Sequence, residues 1–352
     1  MHRPTFFINL TKTASMCLLA GTTLFFTGCQ KGEEIFDEFL GKDKDKDMGE
    51  MRIFASTNTG GNFTIFDVSD LHDIDKTVAN TGNMDADGIF YSQDKDIVYQ
   101  LSRTESVVNG YTDIMDLMGK KDVSPAFSSD SDFTNGREIT VEGDMLVVAE
   151  DVDDMNQLVV YKVYHGALRL DKVYRVHINL WGIQLVDGTL YAVEDGTNNL
   201  AVYHDFGTKP DDQNLGADMK VAIEGLVRTH GLNYDAMHDI MVLTDIADAT
   251  VDSDGGFHVI ENFSSKLMDA GDEGMIMMDD QIRIAGDMTY LGNPVDVALS
   301  VEAKKIYVAE RANGGGRLLV FDYPMESGNM KPVANVNYEG ASAVYLDEKE
   351  MD

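Results

Sequence analysis

The chain has 352 residues, enough for one large repeat domain or two ordinary ones, and its 43% hydrophobic content can fill a substantial core. Asp and Glu number 61 against 28 Lys and Arg, a formal net charge of −33. Such an excess excludes a nucleic-acid-binding surface, which needs Lys and Arg to neutralise phosphates; it suits solubility, cations or a salty exterior.

Residues 1–28 read as an export signal. Arg3 and Lys12 supply a positive start, and Ala14–Phe26 supplies an apolar run broken only by small or hydroxyl residues. That run is too short to span a bilayer and has signal-peptide dimensions. It ends in Phe26-Thr27-Gly28-Cys29, which resembles the lipobox of bacterial lipoproteins, with Phe26 standing where Leu is usual. The resemblance implies cleavage before Cys29 and acylation of that residue, which makes the membrane a partner through the lipid alone. Cys17 and Cys29 are the only cysteines. With Cys17 cleaved off, the exported chain holds no disulfide, although its compartment permits one.

Residues 29–50 read as the lipidated Cys and a tether. Lys42-Asp43-Lys44-Asp45-Lys46-Asp47 is too charged to bury a core. Gln30-Lys31-Gly32-Glu33-Glu34 resembles the acidic signal that sends some Gram-negative lipoproteins to the cell surface. An outer-membrane lipoprotein facing outward is the expectation; the periplasmic face is the alternative.

From Met51 to Asp352 the pattern becomes short alternating strands separated by Gly, Asp and Asn turns. Six hairpins begin near positions 53, 97, 145, 190, 240 and 305, so the interval runs from about 44 to about 50 residues with a last one of about 65. Periods of this size with several strands per unit predict an all-β chain folded as a β-propeller of six four-stranded blades. A strand also precedes each hairpin except the first, and the spare strand Ala341–Leu346 stands at the far end of the sequence. The two ends therefore complete one blade and close the ring, which removes exposed sheet edges. Residues 264–293 are long enough to hold a seventh blade as the alternative; they contain the outer strand Gln281–Ala285 and a Met-rich run. The inner strand followed by Ile306-Tyr307-Val308-Ala309-Glu310 resembles NHL and YVTN-type repeats.

Antiparallel pairing brings the start of each inner strand level with the end of the second strand. Ring symmetry would gather those ends at one mouth of the central channel. The candidates there are Asp87, Asn135, Arg137, Trp181, Glu194, His230, Asp245, Asp296, Glu310, Arg311 and Glu339. Carboxylates and Asn carbonyls are hard donors that suit Ca²⁺, with Glu150, Glu194 and Asp245 as the candidate ligands. Turn chemistry is the competing reading of each acid, since Asp and Asn bond their own backbone in turns. Asp252-Ser253-Asp254-Gly255-Gly256 is a second candidate Ca²⁺ loop, without the distal Glu of a helix–loop–helix site. His230 has a general base or a structural hydrogen bond as its alternatives, Arg137 and Arg311 an anion clamp or charge neutralisation, and Trp181 a sugar platform or packing between blades.

No complete catalytic set is legible. Gly-x-Ser-x-Gly and His-Glu-x-x-His are absent. Asn313-Gly314-Gly315-Gly316-Arg317 precedes a strand and reads as a hairpin turn, not a phosphate loop. The first functional expectation is thus a lipid-anchored envelope module that binds a protein or small-molecule ligand. The second is a calcium-dependent hydrolase: Glu339-Gly340 resembles the opening motif of gluconolactonase-like propellers, whose ion sits in the channel. No Asn here is matched to that family's Asn ligands.

Overall fold

The computed structural model describes residues 50–349 apart from 118–121, 154, 165 and 211–213. The export signal, Cys29 and residues 30–49 of the tether lie outside the described residues. Apart from short helical turns and one helix, the described chain is made of β-strands.

Strands β1 (Met51–Thr57), β2 (Phe63–Asp67) and β3 (Asp75–Ala79) pair in sequence as the outer three strands of blade one. Blade two is β4 (Ala86–Ser92), β5 (Ile97–Ser102), β6 (Val107–Thr112) and β7 (Phe127–Ser128). Blade three is β8 (Gly136–Glu142), β9 (Met145–Glu150), β10 (Gln157–Tyr164) and β11 (Ala167–Arg175). Blade four contains β12 (Leu180–Val186), β13 (Thr189–Glu194), β14 (Asn199–Tyr203) and β15 (Met219–Ile223). Blade five begins with β16 (Leu232–Asp235), β17 (Ile240–Asp245) and β18 (Gly256–Glu261). The chain then makes helix α1 (Phe263–Ala270) and β19 (Gly274–Ile276) before β20 (Ile282–Ala285) completes that blade. Blade six is β21 (Pro294–Ser300), β22 (Lys305–Glu310), β23 (Arg317–Asp322) and β24 (Ala334–Asn337). Finally β25 (Ala341–Glu348) pairs antiparallel with β1, from Met51↔Glu348 to Thr57↔Ala341, and closes the ring. The protein is a six-bladed β-propeller.

The long last interval holds no seventh blade. Its Met-rich segment supplies β19, which pairs in parallel with β15 and adds a fifth strand to blade four. The predicted outer strand is β20, paired with β18. A three-residue strand cannot be separated from loop by periodicity, because alternation needs a longer run to register.

Alternation places both faces of each blade in apolar contact. In β1, Ile53 and Ala55 join Tyr307, Ala309, Leu318 and Val320 of blade six, while Phe54 joins Ile89, Tyr91 and Val98 of blade two. The core is therefore a set of layers between blades. This two-sided burial explains why the middle strands read as near-continuous hydrophobic runs.

Each inner strand (β4, β8, β12, β16, β21, β25) pairs through one edge, and the other faces the axis. Its N–H groups there find acceptors on the neighbouring blade. Val344 donates to Asp296 Oδ2 at 2.7 Å, Leu185 to Thr140 Oγ1 at 3.0 Å, Tyr234 to Gln184 Oε1 at 2.6 Å and Leu299 to Asn233 Oδ1 at 3.1 Å. Gly182 donates to the carbonyl of His230 at 2.8 Å. The blades approach so closely that a Cβ on Gly182 would lie 2.3 Å from that carbonyl oxygen.

That approach yields a prediction. Gly182→Ala forces two backbones apart and should cost about 1–3 kcal/mol. Gly216→Ala is the control, since nothing lies within 4 Å of its Cβ position. Urea unfolding checks both; equal midpoints would mean the inner strands can spread without penalty.

Candidate functional site: the central channel

Register sets the level of the candidate residues. Gly136 opposes Glu150, Leu180 opposes Glu194 and Pro294 opposes Glu310, so inner-strand starts and second-strand ends share one face. On that face three successive blades contribute Arg137, Trp181 and His230 to one stack. The Trp181 and His230 rings lie 3.5 Å apart and within 5° of parallel, and the Arg137 guanidinium sits 4.0 Å above the Trp181 ring. Arg137 donates to Asp151 Oδ2 at 2.9 Å. Arg228 donates to both oxygens of Asp195 at 2.6 and 2.8 Å, and His230 Nε2 lies 3.1 Å from Asp195 Oδ1. Burial outweighs this carboxylate and pulls the His230 pKa down, so the imidazole is neutral at pH 7. For Asp195, burial pushes upward, yet the hydrogen bonds and charges of His230 and Arg228 prevail and hold the carboxyl far below its usual range. Trp181 thus has its stacking partners within the chain.

The acids of this face are used as backbone acceptors. Glu310 accepts from the N–H groups of Gly292, Asn293, Ala312 and Asn313 at 2.7–3.0 Å. Asp245 accepts from Val227, Arg228 and Ala247 and pairs with Arg283 at 3.2 Å. Glu150 accepts from Thr134 N at 2.5 Å, Asn135 N at 3.3 Å and the amide of Gln157. Glu194 pairs with Lys220 at 3.2 Å and accepts from Asn199 Nδ2 at 2.9 Å. Each acid joins parts of its own blade, and Glu150, Glu194 and Asp245 do not converge. Among the described residues no group of three or more His, Cys, Asp or Glu is arranged to hold a metal ion. In the Asp252–Gly256 segment, Asp254 Oδ2 accepts from Asp248 N at 3.3 Å, a bond within the loop.

The remaining candidates are also placed. Asn135 accepts from Arg103 Nη2 at 3.0 Å and donates to the carbonyl of Asp151. The backbone N–H of Arg311 donates to the Asn293 carbonyl at 2.9 Å. Glu339 is exposed, and its carbonyl accepts from Thr57 Oγ1 at 2.7 Å.

The channel's cavity lies toward the other end. It has a volume of about 470 Å³ and is lined by inner-strand residues from the level of Glu138, Gly182 and Asp296 to the strand ends at Asp235 and Glu348. Residues one step nearer the strand starts, including Asp87, Arg137, Trp181 and Gly231, do not line it. Of the eleven channel candidates, Asp296 alone faces this space. The difference arises because the stacked Arg137, Trp181 and His230 occupy the strand-start end. Sequence reasoning missed Glu138, Gln184, Asn233, Asp235, Asp347 and Glu348. Their signal was a polar residue inside an otherwise apolar inner strand, as in Gly182-Ile183-Gln184-Leu185-Val186.

Three buried carboxyls, those of Asp87, Glu138 and Asp296, lie within electrostatic reach of one another. A Cβ on Gly88 would lie 2.6 Å from Glu138 Oε1, and a Cβ on Gly231 would lie 2.5 Å from the Asp296 Cα. Asp87 is 3% exposed, and its nearest cation, Arg103 Nη1, is 3.9 Å away. Burial pushes its pKa up to about 8, against the attraction of Arg103 and Arg137 and with help from Asp85 and Asp296. Burial likewise holds Asp296 at about 7, against two backbone hydrogen bonds from Val344 and Val297. Glu138 is raised well above its ordinary value by burial and then by the charge of Asp296.

The fold has close counterparts among solved structures. One lies in a nidogen/laminin complex, with 12% identity, a TM-score of 0.56 and coverage of 84% of this chain and 98% of that one. A 6-phosphogluconolactonase-like protein from Bacteroides fragilis matches with 15% identity and a TM-score of 0.51, covering 83% of each chain. At these identities the likeness is one of propeller fold. No protein-family model matches the chain, and no curated protein matches its sequence.

The raised carboxyls link stability to pH. Asp87 and Asp296 bind protons more tightly in the folded chain than at the ordinary aspartate value of 3.8. Their stabilising effect is therefore full below that value and is lost as pH rises through about 7 to about 8. The melting temperature should fall between pH 5 and pH 8.5, and Asp87→Asn should reduce that fall by several degrees. Parallel melting curves for wild type and variant would show that Asp87 is ionised throughout.

Proposed function

We propose that the chain is a lipid-anchored cell-envelope β-propeller that binds a ligand or protein partner without transforming it. One observation carries this reading. The groups able to do acid, base or nucleophile chemistry at the strand-start face are engaged within the fold: Arg137 by Asp151, His230 by Asp195 and Trp181, and Glu310 by four backbone N–H groups.

The anchor reading rests on Cys29 after Phe26-Thr27-Gly28 and on the charged run that follows. β1 begins at Met51, opposite Glu348 at the end of β25, which is the end of the channel that holds the cavity. The fold relative found in a nidogen/laminin complex supports a partner-binding use of such a scaffold.

Lactone hydrolysis is the alternative, favoured by Glu138 and Asp296 at the cavity's inner level and by the lactonase-like fold relative. The purified protein should not open δ-gluconolactone with or without Ca²⁺. Turnover that Asp296→Asn abolishes would replace the binding reading. In cells, radiolabelled palmitate should be incorporated by wild type and lost in Cys29→Ala; label that persists would refute the anchor.

A further inference from the structure

We propose that the strand-end half of the channel is a binding site for a linear polyamine, a small molecule carrying positive charges about 10 Å apart. This rests on the reading of the channel as a ligand site and names the class of ligand. The first support is charge. Leaving tyrosines aside, the titratable groups lining the cavity are Glu138, Asp235, Asp296, Asp347 and Glu348, and no Lys, Arg or His lines it. A cleft lined by one sign of charge focuses its field and draws in the opposite sign. Its volume of about 470 Å³ falls in the range of small-molecule sites.

The second support is spacing. Val344 marks the inner level, because its N–H meets Asp296 Oδ2. Asp347 and Glu348 lie three and four residues further along β25, roughly 10–13 Å at the rise of a strand. Asp235 ends β16 near the same mouth. The carboxyls are thus grouped at two depths, and those of Glu138 and Asp296, which burial holds toward the neutral form, would release their protons as a cation enters. A divalent cation needs six to eight oxygens around one point, whereas a polyamine needs carboxylates at its two ends.

The third support is unmet hydrogen bonding. Asp347 is 5% exposed, and its Oδ2 has no hydrogen-bond partner; the nearest cation is Arg52 Nη1 at 3.7 Å. Glu348 Oε1 is buried and unpartnered as well. Glu138 spends Oε1 on the N–H of Ile139 at 2.8 Å, which leaves Oε2 for a ligand. Buried acceptors without donors are costly, and a primary ammonium brings three donors to each end.

Titration calorimetry on the purified full-length protein with spermidine, calcium chloride and glucose tests this. Spermidine should bind saturably with a stoichiometry of one, and Glu138→Gln and Glu348→Gln should each weaken it at least ten-fold. Glutamine keeps an oxygen for Ile139, so both variants should melt within a few degrees of wild type. Weak uptake at many sites, unchanged in Glu138→Gln, would be general attraction to an acidic surface and would overturn the proposal. Saturable glucose binding, or calcium binding lost in Glu138→Gln, would overturn the polyamine class while leaving the ligand-binding reading in place. Silence with all three probes would remove the site itself; the lactone and labelling experiments decide the broader function separately.

Discussion

Six inner strands meet around an axis, and each has one edge that no strand covers. An unpaired buried N–H is as costly as a lost hydrogen bond, so the ring can close only if that edge finds acceptors. Asp296, Thr140, Gln184 and Asn233 supply them, each reaching from its own blade to the next. Ser342 adds a bond in the same sense, donating to the Ala86 carbonyl at 2.9 Å. Apolar layers between blades supply the bulk of the burial, but they are non-directional. The polar belt is what sets the phase of each blade relative to its neighbour, and glycine at 88, 182 and 231 lets the backbones come close enough for it.

The same constraint explains the acids of the strand-start face. A loop that turns into an inner strand leaves several N–H groups pointing into the blade. Glu310 gathers four of them and Asp245 three. Removing a carboxylate of this kind would orphan every donor at once. A sequence shows such an acid and a metal-binding acid identically, because both are carboxylates beside turn residues. Only the direction of the side chain separates them, and that direction is fixed by loop geometry.

The fold was largely legible for a related reason. Blade strands bury both faces, so Ile306-Tyr307-Val308-Ala309-Glu310 and its relatives stand out as apolar runs at a regular interval. Ring closure was legible because β25 is an inner strand without a hairpin and β1 is a hairpin without an inner strand. β19 was not, since it depends on pairing with β15 of the preceding blade. The position of the cavity was not legible either. It depends on Arg137, Trp181 and His230, more than forty residues apart in steps, stacking across one end of the channel. Nothing local in the chain marks that meeting.

Asp296 joins these themes. It belongs to β21, bridges to Val344 of β25, and so sits at the joint where the last blade meets the blade that both chain ends build. Its carboxyl also lines the cavity. Burial favours its neutral form, whereas the two N–H groups of Val297 and Val344 favour the carboxylate. A cation in the cavity would tip that balance toward the carboxylate and strengthen both bonds across the joint. Anything that binds only the folded ring stabilises it by mass action. Ligand and ring closure would then be linked through a single side chain.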